Sequence, residues 1–81
     1  PADLRNPQEG LRVALEADAA SGHENAAILD TLAFAYHMNA RHAEAVETER
    51  MALSLLPRNE SSTRAEFEGR LAKFEAALRK R

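Results

Sequence analysis

The side chains that could do chemistry in this 81-residue chain are few: His23, His37 and His42, one serine-threonine run, and scattered carboxylates. His37 and His42 stand five residues apart, not the one-turn spacing at which a helix offers two ligands to one metal ion, and no HExxH pattern is present. His23 reads as a loop residue, His37 as a helix-face residue and His42 as the start of a helix. Ser61, Ser62 and Thr63 precede a helical pattern and read as capping or loop residues, because no base and orienting group accompany them. Asp30 and His37 lie two helical turns apart, and one carboxylate with one imidazole does not define a reaction. The chain contains no cysteine, which removes disulfides, thiolate zinc sites and cysteine nucleophiles together. The expectation is therefore a chain without catalysis, cofactor or metal.

What remains is a chain built to pack. At 81 residues it makes one domain at most, and 44% hydrophobic with 30% charged residues is the composition of a folding chain. Residues 1 to 56 hold four Arg against nine Asp or Glu, whereas residues 57 to 81 hold seven Lys or Arg against four Glu. Basic residues interleaved with aromatics would suggest nucleic acid, and that arrangement is missing, so no nucleic-acid partner is expected. Arg79, Lys80 and Arg81 instead suit the negative end of a terminal helix dipole. No apolar run approaches the roughly 20 residues that span a bilayer, so no membrane partner is expected of this segment, and the compartment stays open. Pro1 in place of an initiating methionine suggests a chain processed or cut from something longer.

Four helices are expected. Asn6, Pro7 and Glu9 form a capping-box start, and Leu11, Ala14 and Leu15 share a face, flanked by Ala17, with Arg12, Glu16 and Asp18 largely outside it. Ser21 and Gly22 close this helix. A second helix over 25–39 repeats Ala26, Leu29, Leu32, Ala33 and Tyr36 at intervals of three and four, while Ile28 and Phe34 fall outside that stripe. It should touch neighbours on more than one side. Asn39, with its tolerance of left-handed backbone, turns the chain into a third helix over 42–56. That helix carries Ala45, Val46, Ala52, Leu53 and Leu56 inward, pairs Glu47 with Arg50 outside, and stops at Pro57. Thr63 and Glu66 cap a fourth helix over 63–80, whose Phe67, Leu71, Phe74 and Leu78 form a narrow seam suited to core packing. Gly69 in mid-helix marks either close approach of a neighbour or simple tolerance.

An internal repeat sharpens this. Glu9, Gly10 and Leu11 match Glu44, Ala45 and Val46, and Ala17 matches Ala52, all at an offset of 35 residues. With Leu29, Leu32, Ala33, Tyr36, Ala45, Ala52 and Pro57, the chain resembles the tetratricopeptide repeat family, and the arrangement looks like the C-terminal end of a longer bacterial protein of that kind. Ala33 and Ala40 stand where glycines are frequent, His42 takes an aromatic position, and Glu49 replaces a large aromatic. The resemblance implies an all-α fold of antiparallel helical hairpins. About one and a half repeats would be present: residues 6–22 as the second helix of a partial repeat, 25–57 as a full repeat, and 63–80 as a capping helix. It also implies a protein-interaction scaffold whose concave face, carried by the first helix of the hairpin, holds a peptide or partner helix. The residues so nominated are Ala27, Asp30, Thr31, Phe34, His37 and Met38. Helical spacing places Ala27, Asp30, Thr31, Phe34 and Met38 beside the packing stripe, and Asp30 argues against a basic carboxylate-gripping arrangement. Phe34 and Met38 suit peptide binding or packing against an absent upstream hairpin equally well. The second reading is self-association, as a homodimer or as a terminal segment of a larger repeat protein.

Overall fold

Two asparagines start the first two helices. In the computed structural model, which describes residues 6–80, the Asn6 side chain accepts a hydrogen bond from the Glu9 backbone N–H at 3.2 Å. Pro7 occupies the first turn and α1 runs Pro7–Ala20. The reciprocal half of the expected capping box does not form, because the Glu9 carboxylate turns outward to the Arg12 guanidinium. Asn25 caps α2 (Ala26–Met38) in the same way, accepting from Ile28 N–H at 3.0 Å. The turn between them follows expectation: Ser21 donates its hydroxyl to Asp18 O at 2.8 Å, and Gly22 takes φ +69°.

The other two helix starts differ from the sequence expectation. Ala40, not Asn39, adopts the left-handed backbone between α2 and α3 (His42–Leu55), with φ +59°. The Asn39 side chain instead donates to Pro7 O at 2.9 Å and Ala35 O at 2.8 Å, stitching the end of α2 to the start of α1. Arg41 stands at the head of α3, pairs with Glu44, and lies 5.2 Å over the Tyr36 ring. Helix α4 (Ser61–Lys80) begins two residues before Thr63, which therefore sits inside the helix and does not cap it. From its first turn, Arg64 donates to Leu56 O at 3.0 Å, satisfying a carbonyl left open where α3 stops before Pro57.

The fold is all-α: the described residues form four helices that pack in chain order, α1 on α2, α2 on α3 and α3 on α4, into a slab of 35 × 32 × 17 Å. Its core has two parts. Leu11, Ala14, Leu29, Leu32, Ala52 and Phe67 form one, and Ala33, Ala45, Val46 and Phe74 the other. Ala33, Ala45 and Ala52 have no exposed surface, so small side chains set the closeness of the helices. The seam on α4 is core as expected, with Phe67 and Phe74 buried and Leu71 and Leu78 packed at its margin. No helix among the described residues is long and apolar enough to cross a membrane.

Two burial expectations and one ion pair change. Leu15 is 41% exposed, because α1 packs on α2 and its buried stripe is narrower than its apolar one. Asp18 is buried, held by the His23 ring, whose Nδ1 lies 2.5 Å from its Oδ2. Arg50 reaches across to Glu75 of α4 at 2.9 Å; the Glu47 pairing expected for it gives way to this interhelical one.

Candidate protein-binding face

Of the six residues nominated from the sequence, four line one exposed strip of α2. Ala27, Thr31, Phe34 and Met38 recur at steps of four, three and four, and all four are exposed. Phe34 and Met38 are each 47% exposed, although α2 is flanked by α1 on one side and α3 on another. Thr31 turns its hydroxyl back onto Ala27 O at 3.1 Å, which leaves its methyl group as the outward feature of the strip. The strip is therefore two large, adaptable apolar groups one turn apart, preceded by small ones.

Asp30 and His37 lie elsewhere: both are turned toward α4. Asp30 Oδ2 sits 3.1 Å from Arg70 Nη1, and that guanidinium lies 5.6 Å over the Phe67 ring. His37 stacks against Phe74 at 4.9 Å between ring centroids and against His42 at 5.3 Å, with Phe34 at 6.5 Å. Burial is the main cause that holds the His37 imidazole below its usual pKa, with smaller contributions from His42 and Lys73 nearby. Its Nδ1 is buried without a hydrogen-bond partner, and so is that of His42. The two rings thus form a half-buried wall behind Phe34, and Asp30 and His37 do not meet each other across the two turns. Among the described residues no three His, Asp or Glu side chains converge as metal ligands.

The sequence reading missed the charged group beneath this face. Glu49 of α3 has no exposed surface, and neither of its carboxyl oxygens has a hydrogen-bond partner. It faces the Asp30–Arg70 pair, and loss of solvation, then the Asp30 carboxyl beside it, raise its pKa to about 8 against the opposing pull of Arg70. The open oxygens and the raised pKa agree in favouring a neutral Glu49 beside Asp30, whose Oδ1 is likewise buried and unpartnered. The signal was in the spacing, since residue 49 is one turn after Ala45 and one turn before Ala52 on the inner stripe. No family model, no curated protein and no solved structure matches this chain.

Proposed function

We propose that the protein is an interaction scaffold of tetratricopeptide type that holds a peptide or partner helix along α2, without covalent chemistry. One observation carries the reading: Phe34 and Met38 stay half-exposed, one turn apart, on a helix whose other faces are packed. Exposed pairs of this kind anchor amphipathic helices and extended peptides, because a flexible thioether beside a rigid ring fits varied apolar side chains. Packing in chain order and the buried alanines at 33, 45 and 52 support the repeat-type reading, as does the 35-residue internal offset.

The test is a selection of helical and extended peptides from a random library against the intact chain, counter-screened with Phe34→Glu/Met38→Glu. Enriched peptides should carry apolar anchors, and the double variant should weaken their binding at least about tenfold, as expected for a central apolar contact. Peptides bound equally by both proteins would overturn the reading.

Self-association is the second reading, favoured by further exposed apolar side chains on two other helices: Val13 and Leu15 on α1, Met51 and Leu55 on α3. Light scattering over a concentration series separates the two. A dimer dispersed by Phe34→Glu assigns the α2 strip to a second copy, and a monomer leaves it open to another partner.

A further inference from the structure

Asp30 from α2, Glu49 from α3 and Arg70 from α4 bring two carboxyls and one guanidinium to a single buried junction. Glu49 has no surface through which water could solvate a charge, and Asp30 Oδ1 and Arg70 Nη1 are enclosed as well. Asp30 already has the guanidinium, at 3.1 Å. One guanidinium cannot neutralise two enclosed carboxylates, so the junction is balanced in charge only when Glu49 carries a proton, which it can give to Asp30 as a hydrogen bond.

We propose that Asp30, Glu49 and Arg70 form a proton-operated latch: a neutral Glu49 closes it between α2, α3 and α4, and loss of that proton releases α4. The latch stands on the cluster's geometry and does not depend on the peptide-binding reading. The charged groups acting on Glu49 are Asp30 from α2 and Arg70 from α4, and α1 contributes none. Helix α4 is the element set free, because its remaining ties are the side chains of one seam, Phe67 and Phe74 above all, the Arg64 hydrogen bond to Leu56 O at its start, and the exposed Arg50–Glu75 pair.

The direction with pH follows from the two states. With α4 docked, burial holds Glu49 up at about 8; with α4 released, water reaches the carboxyl and it titrates lower, although Asp30 of α2 stays beside it. The docked state therefore binds the extra proton between those limits. Raising the pH through that interval favours release by about tenfold per pH unit, and the effect levels off above the docked value. His37 does not interfere, since its depressed pKa places its titration on the acid side of pH 6.5.

The test is native-state hydrogen exchange of the intact chain at pH 7, 8 and 9, corrected for intrinsic exchange and compared helix by helix. The opening constant of α4 should rise several-fold from pH 7 to 8, up to the limit of about tenfold, and level off by 9, while α1 and α2 change little. Glu49→Gln, which stays neutral and still offers an amide N–H to Asp30, should be flat across the series. If that variant does not fold, Asp30→Asn replaces it: removing the neighbouring carboxylate should move the levelling-off to lower pH. An α4 opening constant independent of pH in the native chain, or the same slope in Glu49→Gln, would overturn the latch.

Discussion

Ala40 and Gly69 stand in each other's proper places. Ala40 occupies left-handed backbone at φ +59°, which costs an L side chain about 1 kcal/mol and a glycine almost nothing. Gly69 sits inside α4, where a Cβ would meet nothing within 4 Å, so the choice left open by the sequence falls to tolerance and not to close approach. Ala40→Gly and Gly69→Ala should each stabilise the fold by roughly 0.5–1 kcal/mol, read as a rise in the urea midpoint at constant slope. No change, or a loss, in either would mean that the local backbone is not as described. Asn39 shows why the turn was only half legible: its type suits left-handed backbone, but its amide is needed for Pro7 O and Ala35 O, contacts that join two helices distant in sequence. Glu49 shows the same limit in another form. Its place on the inner stripe could be read from spacing, whereas the partner carboxyl and the guanidinium come from two other helices and become neighbours only on folding.

The helices themselves were legible because each carries its own signals. Asn6 and Asn25 cap as their type and position dictate, Pro57 stops α3, and the steps of four and three from Phe67 to Leu78 mark the buried seam of α4. What local pattern could not supply was how much of each apolar face finds a neighbour. Leu15 shares a helical face with Leu11 and Ala14 yet stays 41% exposed, since exposure depends on where the adjacent helix ends up. Helix α4 depends most on its aromatics, and Phe74 has 1% of its surface exposed. Phe74→Ala should therefore cost about 3–5 kcal/mol, the usual range for emptying a packed aromatic site. It should also expose the His37 ring that stacks on it, moving that imidazole toward its normal titration range. Proton NMR of the His37 ring across pH 5 to 8, beside a denaturation curve, measures both effects; a variant that keeps native stability would show that α4 is not held by this seam.

For the whole molecule, consecutive packing of four helices produces a thin slab with a large surface relative to its core, and apolar side chains remain exposed on α1, α2 and α3. A chain of this shape works by presenting helix faces, and the α2 strip is the face where two large apolar groups meet small flanking ones along a single line. The most direct measurement is amide chemical-shift mapping while the chain is titrated with a peptide selected for binding. The account predicts saturable shifts centred on Thr31, Phe34 and Met38, with Phe34→Glu abolishing them while leaving stability within about 0.5 kcal/mol of the parent. Shifts centred on Met51 and Leu55 of α3, with the α2 strip unchanged, would contradict it.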